Sequence, residues 1–570
     1  MKVFIAQQNY HIGNFSFNTE KMLQSVELAK GKGADLVVFS ELSVCGYPPR
    51  DFLEFRDFIN QVEEAIAALA VHSNNIGIIV GAPTRNPQVE GKDLLNSALL
   101  LYNGKIQGTA HKSLLPNYDI FDEYRYFEPA YDWNVIEFKG KRIALTICED
   151  IWNLGDNPLY RVCPMDKLML QSPDLMINIS ASPFDFDHDE DRIEVVRLNV
   201  LKYKLPMIYC NTVGAHTEII FDGNSMVFNA NGKMQARLKA FEEDSLLVDT
   251  DALYSQSHLN EENQHLGLDE NMRFVHAEDA NTILPYLKDK HNIAQIHDAL
   301  ILGITDYFGK LGFTKAILGS SGGIDSALVL ALAVEALGAE NVVSVLMPSS
   351  FSSSHSVDDA MELSKILGNP YHILPIEKLY DNFLSVLDPL FSGTAFGVAE
   401  ENIQSRSRGN LLMAIANKFG YVLLNTSNKS ELATGYGTLY GDMAGGLSIL
   451  GDLYKTQVYA LAEYMNRNGI VIPQNIISKE PSAELRPNQK DSDSLPDYSI
   501  LDKILYLYIE KRKGPKEIIE AGMDAALVKK VLKMVNMNEY KRNQFCPIIR
   551  VSTKAFGVGR RLPIVAHYLS

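Results

Sequence analysis

The segment 319–326 has the residue types and the spacing of an anion cradle. It consists of Gly319, Ser320, Ser321, Gly322, Gly323, Ile324, Asp325 and Ser326. Paired glycines let backbone N–H groups approach a phosphate closely, and the start of a helix adds partial positive charge. Ser321 and Ser326 can add hydroxyl donors, whereas Asp325 would repel a bare phosphate. The string therefore predicts a phosphate-binding site in which Asp325 faces a Mg²⁺ ion.

The first half of the chain holds a second set of reactive residue types, namely Glu41, Lys112 and Cys148. Cys148 directly follows the apolar run 143–147, and Glu41 directly follows the segment 37–40. Polar residues at strand ends are where α/β folds place their chemistry. A thiol needs a base to become a thiolate, and the resulting tetrahedral oxyanion needs a donor. The expected roles are nucleophile for Cys148, base for Glu41 and oxyanion stabiliser for Lys112, helped by the backbone N–H of the residue after the cysteine.

One alternative nucleophile stays open at this level. Cys45 precedes the turn-forming string Gly-Tyr-Pro-Pro at 46–49 and is also a candidate. An isolated buried cysteine is more often an inert part of a core than a nucleophile. The case for Cys148 therefore depends on the local sequences around three residues, namely Cys148, Glu41 and Lys112.

The elements that must position these residues fall into two α/β series. Seven short apolar runs predict strands in the first series: 3–6, 34–39, 76–80, 97–102, 143–147, 175–179 and 207–210. Several runs are continuous rather than alternating, as expected for strands that are covered on both faces. Asn-Gly at 231–232 predicts a hairpin turn. We expect a layered α/β sandwich over residues 1–250.

The second series begins at about residue 291, after a polar segment without periodicity that predicts a linker over 251–290. A helix is predicted at 293–308, a strand ending at Gly319, a helix after the loop, a strand at 342–347, a helix at 355–367 and a strand at 371–374. This alternation predicts a doubly wound parallel sheet over 291–570 with its ligand at the carboxyl ends of the strands.

Composition limits the partners and the location. The chain has 570 residues and a net charge of −17, and no long basic run stands out, so we expect no nucleic-acid or anionic-membrane partner. No run of about 18 apolar residues is present, so no membrane span is expected. The five cysteines are odd in number and lack metal-ligand spacing, which favours a reducing cytoplasm.

Two resemblances carry the functional interpretation further. The loop string resembles the Ser-Gly-Gly-Ile/Val-Asp-Ser loop of the N-type ATP pyrophosphatases, which cleave ATP between its α and β phosphates and adenylate a substrate. The strings at 39–43, 111–116 and 146–152 resemble, in that order, the Glu-Lys-Cys triad of the nitrilase or carbon–nitrogen hydrolase family. This second resemblance covers about the first 250 residues. It implies an α-β-β-α sandwich, amide hydrolysis through a thioester, and Glu123 as the second glutamate of the family.

Together the two halves resemble the glutamine-dependent NAD⁺ synthetase family over essentially all of the chain. The resemblance implies that Tyr118, Ser182 and His188 bind glutamine, although the acidic run 185–191 departs from the basic residue that is usual near His188. It implies that Thr426, Lys455 and Ser482 join the loop in binding ATP. It also implies that Asn402, Arg406, Glu431 and Lys541 bind deamido-NAD⁺, and that Glu431 joins Asp325 as a metal ligand.

The reaction implied by this resemblance has two stages and requires ATP and Mg²⁺. Glutamine is hydrolysed at Cys148, and the ammonia displaces AMP from an adenylate of deamido-NAD⁺. The resemblance also implies that the protein is cytoplasmic, that it forms a homo-oligomer and that its substrates are small molecules. Two alternatives stay open: a different glutamine-fed adenylating amide ligase, and a non-catalytic binding protein on a nitrilase scaffold.

Overall fold

A computed structural model describes residues 1–154, 159–186, 189–254, 279–486 and 489–569. The chain divides into two compact units, Met1–Val275 and His276–Ser570. Each unit has its own sheets and its own buried core, as expected for a chain that is too long for a single domain.

The first unit consists mainly of strands. The strands are β1 (Lys2–Gln7), β2 (Leu36–Val38), β3 (Gly77–Arg85), β4 (Leu94–Tyr102), β5 (Lys105–His111), β6 (Ile136–Phe138), β7 (Lys141–Ile147), β8 (Leu175–Ser180), β9 (Met207–Asn211), β10 (Val213–His216), β11 (Ile219–Asp222), β12 (Met226–Phe228), β13 (Met234–Arg237) and β14 (Asp244–Asp249). The helices are α1 (Phe15–Gly31), α2 (Arg56–Val71), α3 (Glu123–Tyr126), α4 (Pro164–Met169) and α5 (Asp189–Tyr203).

Two six-stranded sheets form the centre of this unit. Their strand orders are β14-β1-β2-β3-β4-β5 and β13-β12-β9-β8-β7-β6. One apolar cluster, which includes Val3 and Ile5 of the first sheet and Leu145 and Ile177 of the second, lies between the sheets. Helices α1 and α2 pack on the outer face of the first sheet, and α4 and α5 pack on the outer face of the second. The unit is therefore the predicted α-β-β-α sandwich.

The second unit consists mainly of helices around one sheet. The strands are β15 (Ala316–Gly319), β16 (Val342–Leu346), β17 (Tyr371–Ile373), β18 (Val422–Asn425) and β19 (Leu447–Ser448). The helices are α6 (Ala280–Leu287), α7 (Lys290–Leu311), α8 (Ile324–Leu337), α9 (Ser354–Leu367), α10 (Glu377–Phe391), α11 (Val398–Phe419), α12 (Lys429–Thr434), α13 (Lys455–Met465), α14 (Gln474–Ser478), α15 (Tyr498–Ile509), α16 (Pro515–Glu520), α17 (Ala525–Met537) and α18 (Glu539–Arg542).

All five strands of this sheet are parallel, in the order β17-β16-β15-β18-β19. The chain runs outward from β15 to one edge and then returns to β18 on the other side of β15, so the strand order reverses beside β15. Helix α11 packs against β15 and β18, and α8 packs against β15 and β16. The doubly wound parallel sheet is confirmed, and the segment 319–326 follows β15 at the point of reversal, where such sheets bind ligands.

The observed elements differ from the predicted ones mainly at their ends. Helix α7 begins at Lys290, three residues before the predicted start at 293. Residues 280–287 of the predicted linker form α6, which packs against α13 and α15 of the second unit. Most of the remaining predicted linker, 255–278, lies outside the described residues. None of the described helices combines the length and the hydrophobicity that crossing a membrane requires.

Candidate active sites

Cys148 lies at the end of β7, where the chain leaves the strand and enters a short 3-10 helix, Cys148–Ile151. Its φ is 44°, in the left-handed region that residues with a Cβ rarely adopt. Its thiol is buried, and burial is the main cause of a pKa well above the ordinary value. Glu41 raises this pKa further, while Lys112 lowers it. The thiol is therefore protonated at neutral pH and requires a base before it can attack a substrate.

Glu41, Lys112 and Glu123 form a buried ion cluster beside this thiol. The Lys112 Nζ atom lies 2.7 Å from Glu41 Oε1 and 2.8 Å from Glu123 Oε1. The backbone N–H of Ala181 donates to Glu41 Oε2 at 3.0 Å, and the Tyr47 hydroxyl donates to Glu123 Oε1 at 2.8 Å. Burial opposes charge on Lys112, but the two carboxylates outweigh it and hold its pKa well above the usual value. The cluster thus provides a carboxylate and a permanent cation near one thiol.

Asp150 fixes the relative positions of the lysine and the cysteine. Its Oδ1 accepts hydrogen bonds from the backbone N–H groups of Ser113 and Leu114, each at 3.0 Å. Its Oδ2 accepts from the N–H of Ile147 at 3.2 Å. Burial raises the pKa of Asp150 to about 6, and the three backbone donors oppose that rise. One carboxylate therefore ties the residues after Lys112 to the end of the strand that carries Cys148.

Two of the three residues predicted to contact glutamine, Tyr118 and Ser182, lie among the described residues. The Tyr118 hydroxyl donates to Glu149 Oε1 at 2.9 Å, which brings Tyr118 to the residue after Cys148. Ser182 is buried, and its backbone N–H donates to Asn211 Oδ1 at 2.9 Å, one residue beyond the Ala181 contact with Glu41. His188 lies outside the described residues.

Cys45 lies in a different environment. Its Sγ contacts the backbone oxygens of Leu42 at 3.7 Å and Gly46 at 3.5 Å. Burial raises its pKa well above the ordinary value. Within the described part of the chain, no charged side chain contributes to that shift, in contrast to the four charged residues that act on Cys148.

In the second unit, the loop after β15 has the geometry of a backbone cradle. The N–H of Ser320 donates to the carbonyl of Val345 on the neighbouring strand at 3.0 Å. Gly322 has a φ of +77°, and a Cβ at this position would lie 2.2 Å from the carbonyl oxygen of Ser356. Gly323 caps α8, and the Ser326 hydroxyl accepts from the N–H of Ser321 at 3.2 Å. Only glycine fits at position 322, for steric as well as conformational reasons.

Two carboxylates, Asp325 at the start of α8 and Glu431 in α12, converge on Lys455, the first residue of α13. Lys455 Nζ forms an ion pair with Asp325 Oδ2 and lies 3.9 Å from Glu431 Oε1. Asn428 Nδ2 donates to Asp325 Oδ1 at 2.9 Å, while the second oxygen of Glu431 accepts from the Asn428 N–H at 3.2 Å. Burial, and then the charge of Asp325, hold the pKa of Glu431 well above its usual value. Both carboxylates are thus positioned to share a cation.

Asp325, Glu431 and Lys455 border one cavity of about 1070 Å³. It is lined by every predicted ATP-binding, dinucleotide-binding and metal-binding residue except Gly322, namely Gly319, Ser320, Ser321, Gly323, Ile324, Asp325, Ser326, Asn402, Arg406, Thr426, Glu431, Lys455, Ser482 and Lys541. Lys541 Nζ donates to the carbonyls of Gly435 at 2.7 Å and Gly437 at 2.8 Å. Burial lowers the pKa of this lysine. A cavity of this size is at the upper end for small-molecule sites and can hold a nucleotide.

Several site residues were not predicted from the sequence. Asn428 had a usable signal, because Asn428 and Glu431 have the Asn-x-x-Glu spacing of a capping box and form one at the start of α12. Arg408, which lines the cavity and donates through Nε to the carbonyl of Met347 at 3.0 Å, had no local signal. Asn96 in the first unit also had none, because it lies inside an apolar strand.

Comparisons with known proteins agree with this two-unit architecture. A carbon–nitrogen hydrolase family model matches residues 2–257, and an NAD synthase family model matches residues 296–545. The glutamine-dependent NAD(+) synthetase of Synechocystis sp. is 44% identical over 569 residues, which cover 99% of this chain and 98% of that protein. The enzyme of the same name from Thermotoga maritima is 39% identical and covers 100% of this chain and 99% of its own length.

A solved structure gives the same result. The glutamine-dependent NAD⁺ synthetase from Acinetobacter baumannii, in complex with ADP, has a TM-score of 0.74 and 36% identity, and the match covers 99% of this chain and 98% of that one. The protein is therefore of the class in which a carbon–nitrogen hydrolase unit precedes an NAD synthase unit. It belongs to the glutamine-dependent NAD⁺ synthetase family.

Proposed function

We propose that this chain hydrolyses glutamine and uses the ammonia to convert deamido-NAD⁺ into NAD⁺, while ATP is converted into AMP and pyrophosphate. The observation that carries the proposal is that both reactive clusters are complete in a chain 44% identical to such an enzyme over its length. The first unit holds the buried Glu41, Lys112 and Cys148 cluster. The second holds the glycine loop and the converging carboxylates in one cavity.

The first half-reaction follows from the contacts around Cys148. Glu41 takes the thiol proton, and the thiolate attacks the side-chain amide carbon of glutamine. The Lys112 ammonium, held by both carboxylates, stabilises the oxyanion. The protonated Glu41 returns its proton to the nitrogen, and ammonia leaves a thioester. Water, deprotonated by Glu41, then attacks the thioester and releases glutamate and the thiol.

Substrate recognition in this unit uses the residues beside the thiol. Tyr118 and Ser182 are the proposed contacts for glutamine. Glu149 is a further contact, because its buried carboxylate follows Cys148 and accepts hydrogen bonds from Tyr118 and Tyr160 at 2.9 and 3.0 Å. A carboxylate in this place offers negative charge to the α-ammonium group of an amino acid.

The second half-reaction forms and then breaks an adenylate. The nicotinate carboxylate of deamido-NAD⁺ attacks the α-phosphorus of ATP, and pyrophosphate leaves. Ammonia then attacks the activated carboxyl carbon, and AMP leaves with the electron pair of the bond to oxygen. The loop N–H groups, Lys455, Thr426 and Ser482 are the proposed phosphate contacts, whereas Asn402, Arg406 and Lys541 are the proposed contacts of the dinucleotide. These groups act by positioning and charge neutralisation.

Asp325 and Glu431 are the proposed ligands of Mg²⁺. Both carboxylates already face a single cationic group, the Lys455 ammonium, so their oxygens are directed towards one point. Among the described residues, no cluster of three or more His, Cys, Asp or Glu side chains could hold a metal by itself. That agrees with an ion that takes its remaining ligands from phosphate oxygens and water. When bound, Mg²⁺ would neutralise charge on the polyphosphate.

We also propose a homo-oligomer in the cytoplasm. Helix α10 exposes several large apolar side chains, namely Leu379, Phe383, Val386 and Leu390. A group of exposed apolar side chains of this kind is typical of an interaction surface. The cytoplasmic location is supported by the five cysteines, all of which are free.

One assay tests the proposed function. The purified protein is given glutamine, ATP, Mg²⁺ and deamido-NAD⁺, and NAD⁺, AMP, pyrophosphate and glutamate are measured together. The expected result is equal amounts of NAD⁺, AMP and pyrophosphate, with no product when ATP is left out. Amidation of xanthylate or aspartate instead would identify a different glutamine-fed ligase. Absence of both glutamine hydrolysis and ATP cleavage would indicate a binding protein.

A further inference from the structure

Asn96 is a buried polar residue in the middle of β4, beside the ion cluster of the first unit. Its backbone carbonyl accepts a hydrogen bond from the N–H of Lys112 at 2.8 Å, so the asparagine lies next to the lysine on the neighbouring chain segment. Apart from Asn96, Ser97 and the terminal Tyr102, the strand consists of Leu and Ala residues. A lone amide side chain in such a strand needs a specific reason for its presence.

The side-chain amide of Asn96 donates hydrogen bonds to both carboxylates of the cluster. Its Nδ2 donates to Glu41 Oε1 at 2.7 Å and to Glu123 Oε2 at 3.4 Å. Both N–H groups are therefore directed at carboxylate oxygens. The Oδ1 atom is buried and has no hydrogen-bond partner within the described part of the chain. Rotating the amide by 180° would turn an acceptor towards two acceptors, so the observed orientation is the favourable one despite the unpaired oxygen.

The charges around Glu41 explain why a neutral donor is useful there. The cluster holds two carboxylates and one ammonium, with the Cys148 thiol, the Tyr47 hydroxyl and the Glu149 carboxylate also within electrostatic range. Burial is the main cause that raises the pKa of Glu123 to about 7, and the charge of Glu41 adds to it while Lys112 opposes it. An N–H donor favours the ionised carboxylate without adding a further charge.

We propose that Asn96 is a positioning residue for glutamine hydrolysis, which holds the Glu41 carboxylate in the orientation needed for a base beside Cys148. This inference rests on the proposed function of the first unit. Asn96 has no role in the reacting bonds. It acts through Glu41 and Glu123, because its amide group donates hydrogen bonds to both carboxylates. Lys112 Nζ contacts the same two carboxylates.

The test compares Asn96→Asp and Asn96→Leu, which keep the size of the side chain, with Ser97→Ala as a matched control. Ser97 is the next residue of the same buried strand, and its hydroxyl contacts Thr84 and His111 rather than the cluster. Glutaminase activity is measured from pH 5 to 9. On the same preparations, thermal unfolding followed by circular dichroism reports on folding of the first unit, and ammonia-driven NAD⁺ synthesis reports on the second unit. Wild-type glutaminase activity is established first, so that failure of the proposed function is recognised separately.

The expected result is a fall in glutaminase kcat of about tenfold to a hundredfold for both Asn96 variants, with little change in KM, since only the base is misplaced. Asn96→Asp should also move the acid limb of the pH profile upward by about one unit, because added negative charge favours protonation of the carboxylate pair. Ser97→Ala and all ammonia-driven rates should stay within about twofold of wild type. The proposal is overturned if the pH profile of Asn96→Asp is unchanged, or if the Asn96 variants lose both activities equally.

Discussion

At the level of single residues, the buried cysteines Cys148 and Cys45 differ in what surrounds them. Charged side chains act on the thiol of Cys148, whereas Cys45 contacts backbone oxygens. Cys148→Ala should therefore lower glutamine-driven NAD⁺ synthesis by at least about a thousandfold, because the covalent step is lost. The measurement is NAD⁺ formation with glutamine and, separately, with ammonium chloride as nitrogen source.

The matched control for this prediction is Cys45→Ala, which removes a buried thiol of the same unit. It should reduce stability by roughly 1–2 kcal/mol, as is usual for a small buried side chain, and leave the rate of the folded enzyme nearly unchanged. Ammonia-driven synthesis should survive in both variants. If Cys45→Ala abolished glutamine use and Cys148→Ala did not, the assignment of the nucleophile would be reversed.

At the level of elements, the turn between β15 and α8 depends on a close approach at Gly322. A Cβ at this position would lie 2.2 Å from the carbonyl oxygen of Ser356, and its φ is +77°. Gly322→Ala should displace the loop and lower ammonia-driven synthesis by about a hundredfold or more, since a shift of about 1 Å at a site has effects of that size. Glutamine hydrolysis, which belongs to the other unit, should persist.

Gly312 provides a control with the same backbone conformation and open surroundings. Its φ is +75°, and a Cβ there would meet no atom within 4 Å. Gly312→Ala should lower stability by about 1 kcal/mol through backbone strain and leave synthesis unchanged. Equal losses of synthesis in the two variants would mean that strain, rather than the contact with Ser356, is responsible.

Helices α7, α8 and α13 contain an ionisable contact that makes stability depend on pH. His297 of α7 lies 2.8 Å from Asp298 and 3.2 Å from Glu335 of α8, and its ring packs on Tyr464 of α13. Burial alone would lower the pKa of His297, but the two carboxylates outweigh burial and raise it to about 9. Because the pKa is raised in the folded state, the added stability is full below about pH 6.5 and disappears as pH rises through about 9.

His297→Gln should therefore lower the Tm by about 2–4 °C at pH 6.5, which corresponds to roughly 1 kcal/mol after solvent screening of the exposed partners. The difference from wild type should shrink as the pH rises above 9. Thermal unfolding followed by circular dichroism at several pH values measures both. A difference that stays constant from pH 6.5 to 10 would show that packing rather than charge explains the effect.

The sequence predicted the strands and the site residues that are marked by a pattern of neighbouring residues. The strands at 143–147 and 175–179 are mainly apolar runs without strict alternation, and Cys148 and Glu41 follow strand ends, so each could be predicted. Asn96 could not, because its partners Glu41 and Glu123 are 55 and 27 residues away along the chain and only the fold brings them together. Helix α6 was missed because the residues before it are polar and lack periodicity.

At the scale of the whole molecule, the chain joins a unit with a hydrolytic cluster to a unit with a nucleotide cavity. The proposed function requires the product of the first reaction to be the substrate of the second. Ammonia is a nucleophile only when it is unprotonated, and at neutral pH most ammonia in solution carries a proton. Nitrogen that passes from one reaction to the other before it equilibrates with solvent keeps its reactivity, and this is a physical reason for both reactions to share a chain.

We therefore expect the amide nitrogen of NAD⁺ to come from glutamine even in the presence of excess ammonium. The experiment supplies unlabelled glutamine with a large pool of ¹⁵N-ammonium at pH 7, and mass spectrometry measures the label in the NAD⁺ amide. Direct transfer leaves the amide mainly unlabelled. The control is Cys148→Ala under the same conditions, which should incorporate ¹⁵N fully because free ammonium is then the sole source. Labelling of the wild-type product in proportion to the pool would mean that ammonia exchanges through solvent between the two reactions.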